Sequence, residues 1–195
     1  MRTTLSFIAL ALIYSTGSWV YAATITYEIQ AEVDHIYDPG NKLAQRIKPG
    51  DHLSGSYTFD TEVSDTASSP LYGFYNQKHN TANGFSLKIT ALSSNAIRTR
   101  NTEFHSINTW NDQSDFYYVE SKMYSPLGNG LTITFIGLEI FDVTGQALSS
   151  DKLTHSPPII SHARDKNLLI SGRADGSSEE FELRAIISSI VLAED

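Results

Sequence analysis

The sequence predicts an all-β domain whose antiparallel strands pack as a two-sheet sandwich, or jelly roll. Two observations carry this prediction: apolar residues alternate with polar ones along most of the chain, and turn sequences recur at short intervals. Strands with one apolar and one polar face are typical of antiparallel sheets that cover a core on one side.

The alternation is clearest near the start of this domain. Residues 25, 27, 29, 31 and 33 are apolar, and the residues between them are polar. Turns are expected at 38–41 and 48–51, because proline presets φ and glycine accepts a positive φ. The alternation slips near Gly137, which predicts a β-bulge there. Further strands are expected at 53–59, 85–91, 97–107, 116–124, 131–141 and 167–173.

The C-terminal segment allows two interpretations. Residues 177–180 resemble a helix capping box, and the isoleucines that follow could form a helical face. However, Phe181, Leu183, Ala185 and Ile187 alternate with polar residues or Ile186, and the segment is rich in β-branched side chains. Because such residues favour extended structure, we predict a strand.

The N-terminal residues 1–22 predict a cleaved signal peptide. Arg2 supplies a positive charge, residues 5–14 are mostly apolar, and Val20-Tyr21-Ala22 suits a signal peptidase. An uncleaved anchor is the alternative, but the apolar run is shorter than the ~20 residues that span a bilayer. We therefore expect a single β-sandwich domain at 23–195, secreted or periplasmic, with no stable membrane insertion after cleavage.

Charge limits the partners that we expect, and cysteine content limits the sources of stability. The formal net charge is −8, with acidic residues interspersed along the chain, so nucleic acid is not an expected partner. The chain has no cysteine, and its stability must come from packing and hydrogen bonds rather than disulfides.

Three segments resemble a known group of exported proteins. Residues 48–60 (KPGDHLSGSYTFD), with 114–119 and 142–158, are similar to exported β-domain proteins of the PEP-CTERM-associated type from Gram-negative bacteria. The resemblance implies an exported surface or matrix protein. The chain ends at Ala193-Glu194-Asp195 without the group's sorting tail, so membrane sorting is not among the expectations.

Catalytic motifs are hard to find in the sequence. There is no cysteine, no Gly-x-Ser-x-Gly elbow and no His-Glu-x-x-His pattern. Glu139 and Asp142 could suit glycoside hydrolysis, but their odd separation puts them on opposite faces of a regular strand. Calcium is the candidate cofactor, held by aspartates that alternatively close turns: Asp60, Asp65, Asp112 and Asp115.

Aromatic residues beside amides and carboxylates suggest a binding surface. Such rings can stack on a sugar while polar neighbours bond its hydroxyl groups. Core packing is the competing interpretation, and regular alternation turns only one of Tyr117 and Tyr118 outwards. The candidate ligand-binding residues are Trp110, Asn111, Asp115, Tyr118, Tyr72 and Tyr75.

The predicted function is therefore non-catalytic binding of an extracellular polymer, such as an exopolysaccharide, or of a surface partner. Two alternatives remain: a carbohydrate-active hydrolase or lyase on a jelly-roll fold, and a structural matrix protein.

Overall fold

The computed structural model describes residues 24–43, 46–77, 83–90, 97–102, 104–122, 125–128 and 130–194. The predicted signal peptide at 1–22 lies outside these ranges. The described strands are β1 (Thr24–Tyr37), β2 (His52–Asp60), β3 (Tyr72–Asn76), β4 (Gly84–Thr90), β5 (Ile97–Thr102), β6 (Phe104–Asn111), β7 (Asp115–Ser121), β8 (Ser125–Gly128), β9 (Leu131–Asp142), β10 (Asp165–Ala174) and β11 (Glu180–Leu192).

All of these strands belong to one antiparallel sheet. Its order is β3-β6-β7-β9-β10-β11-β1-β2-β4-β5, and β8 pairs with β9 off this path. The all-β antiparallel prediction is confirmed, and the described part of the chain contains no helix, so none that could cross a membrane. The two-sheet sandwich is not confirmed, because each strand is hydrogen-bonded to the next along one continuous path.

The predicted alternation in β1 is confirmed. Ile25, Tyr27, Ile29, Ala31 and Val33 are all buried, while the residues between them are exposed or half-buried. The C-terminal segment is strand β11, paired with both β1 and β10, so the choice of strand over helix is confirmed. The central position of β11 in the sheet explains why the segment is a strand and not a helix. An extended backbone can form hydrogen bonds with a neighbouring strand along each of its two edges.

The sheet curls so that its two arms face each other. Tyr57 on β2 and Tyr117 on β7 lie five strand positions apart, about 24 Å in a flat sheet. Their hydroxyl oxygens are nevertheless 3.0 Å apart. At the far end β5 also approaches β8. The concave side therefore encloses the core, and it holds a packed aromatic group of Tyr27, Tyr57, Phe59 and Phe85.

The predicted bulge lies a few residues away from the expected position. Between β9 and β10 the register shifts where Ser171 pairs with Phe135 and Gly172 pairs with Ile133, which leaves Thr134 as the extra residue. Gly137 instead pairs regularly with Leu169. The prediction at Gly137 was wrong because two consecutive side chains that avoid the core, Thr134 and Phe135, cause the slip in alternation.

The turn at 48–51 has the predicted chemistry. Gly50 has a φ of 91°, and the N–H of Asp51 donates to the carbonyl of Lys48 at 3.1 Å. The Asp51 carboxylate accepts the N–H of Lys48 in return, at 2.9 Å. This turn delivers the chain to the start of β2.

The connection 143–164 between β9 and β10 crosses the concave side. Tyr27 donates its hydroxyl proton to the carbonyl of Thr154 at 2.7 Å, and Tyr75 donates to the carbonyl of Asp151 at 3.0 Å. Thr109 also donates to the Asp151 carbonyl. Side chains from three strands thus hold the backbone of this connection, called the strap below, against the core.

We expect a measurable energetic coupling between Tyr57 and Tyr117. A double-mutant cycle with Tyr57→Phe and Tyr117→Phe should give a coupling of about 1 kcal/mol in the free energy of unfolding, because the hydroxyl groups bond each other. Urea denaturation of the four proteins measures it. A coupling of zero would contradict the curl, since in a flat sheet these residues never meet.

Candidate functional site

The convex side of β3, β6, β7 and β9 carries a cluster of aromatic side chains, called the aromatic face. Register places its members opposite one another: Tyr72 opposite Trp110, Trp110 opposite Phe116, and Phe116 opposite Phe141. Trp110 is 49% exposed, and the other three are half-buried. Phe74 and Tyr118 lie two residues along β3 and β7, also half-buried.

Alternation in β7 explains why these rings point away from the core. Asp115, Tyr117 and Val119 are buried on the concave side, so Phe116 and Tyr118 must point to the convex side. The expectation that one of Tyr117 and Tyr118 faces outwards is therefore confirmed, and that residue is Tyr118. Pairing of β3, β6 and β9 in this register extends the same division across the sheet.

The rings of the aromatic face contact each other in two ways. Neighbouring strands give edge contacts: Tyr72 with Trp110 at 6.3 Å and 69°, and Phe116 with Phe141 at 6.5 Å and 66°. Along β7, Phe116 and Tyr118 are nearly parallel, at 5.8 Å and 14°. The guanidinium of Arg164 lies 4.6 Å from the centre of the Phe141 ring. The surface thus combines ring faces, ring edges and one cation.

Polar side chains lie between the rings on the same side. The Tyr72 hydroxyl donates to Oδ1 of Asn108 at 2.7 Å, and Nδ2 of Asn108 donates to Oγ of Ser106 at 3.3 Å. Ser106 in turn donates to Oε1 of Glu120 at 3.3 Å, and Lys122 lies 3.4 Å from the same oxygen. This chain of hydrogen bonds fixes the amide and the carboxylate beside the rings.

Tyr118 lies between two carboxylates. It pairs directly with Glu139, and Glu120 follows two residues later on the same side of β7. Burial raises the pKa of the Tyr118 hydroxyl, and the negative charges of Glu120 and Glu139 raise it further. Its hydroxyl therefore keeps its proton at neutral pH and can donate a hydrogen bond.

The structure divides the six sequence-predicted binding residues into two groups. Tyr72, Trp110 and Tyr118 lie on the aromatic face. Tyr75, Asn111 and Asp115 do not, because they occupy the alternate positions of the same strands and point to the concave side. There they bond strap backbone: Tyr75 as described above, Asn111 Nδ2 to the Leu148 carbonyl at 2.9 Å, and Asp115 Oδ2 from the Leu148 N–H at 2.7 Å.

Sequence reasoning missed several residues of the aromatic face. Phe74, Phe116 and Phe141 have polar residues nearby in sequence, but the local sequence does not show that their side chains share one face of the sheet. For Phe116, the phase of alternation in β7 could have shown that the ring points outwards. Using that phase requires recognising that the polar residue Asp115 is buried. Arg164 has no local signal, since the strap returns it to Phe141 from a distant part of the chain.

Asp115 and Asp142 form a buried pair beneath the strap. They occupy directly opposite positions on β7 and β9, and both are completely buried. Burial raises the pKa of Asp115, and the nearby Asp142 adds to this effect against the N–H groups of Leu148 and Ala147. Oδ1 of Asp115 has no hydrogen-bond partner among the described residues.

The pKa of Asp142 is shifted in the opposite direction to that of Asp115. Burial alone would raise its pKa, but N–H groups of Thr144, Gln146 and Ala147, with the Thr144 hydroxyl, outweigh it and lower the pKa. The N–H of Thr144 donates at 2.9 Å and that of Gln146 at 2.8 Å. Asp142 therefore fixes the start of the strap as an ionised acceptor.

The four candidate calcium ligands lie in different surroundings. Asp60 accepts the N–H of Glu62 at 2.8 Å, and Asp65 accepts those of Ala67 and Phe74 at 2.8 and 2.9 Å. Asp112 is exposed and Asp115 is buried. Within the described ranges no three His, Asp or Glu side chains come together as a metal site. Calcium binding stays a prediction.

Glu139 and Asp142 have the orientations expected from their separation. Glu139 is half-buried on the convex side, whereas Asp142 is buried on the concave side. They therefore cannot act together on one substrate.

Comparison with known proteins adds no family to this description. No protein-family model, curated protein or solved structure matches the chain. The geometry of the chain itself is thus the basis for a functional proposal.

We expect Asp142→Asn and Asp115→Asn to change the free energy of unfolding by different amounts or in opposite directions. At pH 7 Asp142→Asn should cost roughly 2 kcal/mol of unfolding free energy, because hydrogen bonds to an ionised acceptor are lost. Asp115→Asn should cost much less or stabilise, since it replaces a buried carboxyl group whose Oδ1 has no hydrogen-bond partner among the described residues.

The two variants should also differ in pH dependence. The lowered pKa of Asp142 gives stability that is present above roughly pH 4 and is lost as the pH falls through the folded-state value. The raised pKa of Asp115 gives stability that is present below roughly pH 4 and is lost as the pH rises. Urea denaturation from about pH 3 to about pH 7, which covers the ordinary pKa of aspartate, measures the pH dependence of both variants. Equal pH profiles for the two variants would contradict the assignment.

Proposed function

We propose that this protein binds an uncharged extracellular polysaccharide through the aromatic face, without acting on it chemically. The observation that carries the proposal is the run of aromatic residues at opposed positions on four neighbouring strands, from Tyr72 to Phe141. Sugars present apolar C–H faces to aromatic rings and hydroxyl groups to amides and carboxylates. Asn108, Glu120 and the Tyr118 hydroxyl supply those polar groups here.

A polymer fits this surface better than a single sugar. The opposed positions follow the direction in which strands are stacked, so four of them extend over roughly 15 Å. A single sugar covers one ring, and the remaining rings would stay exposed to water. A polysaccharide that contacts several rings at once gains affinity from the sum of many weak contacts.

The charge of the protein favours an uncharged polymer. The net charge is −8 and the isoelectric point is about 5.1, so an acidic polysaccharide meets general repulsion. Near the aromatic face, charges are paired: Lys122 with Glu120, and Arg164 with Asp165 at 2.8 Å. No net positive area among these residues would offset the repulsion.

We infer that the protein works outside the cytoplasm, as a secreted or periplasmic member of the PEP-CTERM-like group. The leader pattern at 1–22 and the segment 48–60 support this inference. Expression in a Gram-negative host, followed by N-terminal sequencing of the exported protein, should give a chain that begins at Ala23. Retention of Met1 in the membrane fraction would contradict it.

The sandwich prediction also continues as a proposal. The contact between Tyr57 and Tyr117 supports a curled sheet whose two arms pack face to face like the layers of a sandwich. Such an arrangement gives a rigid support for the aromatic face, because β6, β7 and β9 are buried on their other side.

One observation favours the alternative of a hydrolase. Glu120 and Glu139 are diagonal neighbours that flank Tyr118, and diagonal positions lie roughly 7 Å apart, within the range of paired catalytic carboxylates. Release of reducing sugar ends from a bound polymer, lost in Glu139→Gln, would favour this alternative over simple binding. Concentration-dependent self-association without glycan binding would favour a structural matrix protein.

We expect Trp110→Ala to weaken polysaccharide binding roughly three- to tenfold, because it removes the most exposed ring of the aromatic face. Affinity electrophoresis in native gels that contain hydroxyethylcellulose, soluble β-1,3-glucan or alginate provides the measurement. The first two should retard the protein and alginate should not.

Tyr37→Ala is the matched control. Tyr37 is 56% exposed but lies on β1, five strand positions from β6. It should leave the retardation unchanged. Equal loss in both variants, or no retardation by any of the three polymers, would contradict the proposed function.

A further inference from the structure

A cavity of about 240 Å³ lies on the concave side, beneath the strap. Its floor comes from both arms of the curled sheet, with Tyr27 and Phe59 from one arm and Tyr117 from the other. Its roof comes from the strap, notably Leu153 and Pro157. The cavity is separate from the aromatic face, which lies on the opposite side of the sheet.

The hydroxyl groups in this floor bond to protein atoms. The Tyr27 hydroxyl donates to the Thr154 carbonyl, the Tyr117 hydroxyl bonds that of Tyr57, and Thr109 donates to the Asp151 carbonyl. What remains exposed to an occupant is mainly ring and aliphatic surface. An occupant must therefore be mainly apolar over the part that enters the cavity, with hydroxyl groups of Ser149 and Ser156 also in the lining.

The size of the cavity limits what can enter. A cavity of roughly 150 Å³ lined by apolar side chains holds one benzene molecule in another protein. This cavity is moderately larger, so it accommodates one six-membered ring with a short substituent. A system of four fused rings exceeds it once the packing density of protein interiors is considered.

One exposed charged residue in the cavity lining indicates the other end of the ligand. Lys152 is exposed, and it is the only charged residue among the described residues that line the cavity. A carboxylate on the short substituent would lie near its ammonium group. We propose that the cavity binds a small monocarboxylic acid whose apolar part is one ring, with the ring on Tyr27, Phe59 and Tyr117 and the carboxylate near Lys152.

The probe for this site is 3-phenylpropanoate, titrated into the purified full chain by isothermal calorimetry. We expect saturable binding with one site per chain. The bulky 3-(1-pyrenyl)propanoate should not bind, because its fused rings exceed the cavity. Absence of saturable binding of 3-phenylpropanoate, or equal binding of the pyrenyl acid, would overturn the proposal.

Two variants locate the bound probe. Ala147 is buried and lines the cavity, so Ala147→Leu should fill it and weaken binding at least tenfold. Ala193→Leu, at the end of the chain outside the cavity, is the matched control and should bind normally. If Ala147→Leu melts at a lower temperature than the control, its loss of binding could come from lost stability. In that case the comparison of 3-phenylpropanoate with the pyrenyl acid tests the site. Unchanged binding by a folded Ala147→Leu would contradict the site.

Lys152→Gln tests the position of the carboxylate. It should weaken binding of 3-phenylpropanoate about threefold, as expected for an exposed ion pair, and leave binding of the neutral 3-phenylpropan-1-ol unchanged. Equal effects on acid and alcohol would contradict the placement of the carboxylate beside Lys152. None of these variants alters the aromatic face, so the outcome is independent of polysaccharide binding.

Discussion

The fold depends on the curl of a single antiparallel sheet. Because neighbouring strands are hydrogen-bonded from β3 to β5, the chain has one concave and one convex side, and each strand contributes alternate residues to both. Tyr57 and Tyr117 meet inside the curl, and the rings of Tyr27, Phe59 and Phe85 pack around Tyr57 from the same arm. Without cysteine, this packing and the backbone hydrogen bonds must supply the stability.

The strap completes the concave side, and polar side chains hold it there. An irregular connection over a core would leave backbone carbonyl and N–H groups without partners. Tyr27, Tyr75 and Asn111 donate to its carbonyls, while Asp115 and Asp142 accept its N–H groups. The strap thus accounts for the burial of Thr109, Asp115 and Asp142, which bond its backbone.

Local pattern was sufficient to predict strands but not their arrangement. β1 and β11 follow from alternation over more than ten residues each, whereas β3 has only five residues within a polar region. The curl follows from contacts between β2 and β7, which are far apart in sequence, so no local pattern reveals it. The same limit applies to the candidate site: Tyr72, Trp110 and Tyr118 were found by composition, but Asp115 was assigned to the surface because aspartate is seldom fully buried.

The alternation of β6 and β7 gives the protein two surfaces with different constraints. Thr109 and Tyr117 face the cavity, and their immediate neighbours Trp110 and Phe116 face outwards. A substitution on the concave side disturbs the core, the strap or both, since those side chains are packed and hydrogen-bonded there. A substitution of an exposed ring on the convex side removes contact surface but no core atom. Exposed rings on the convex side can therefore be substituted with little effect on stability, whereas the residues lining the cavity can change only as far as the strap remains attached.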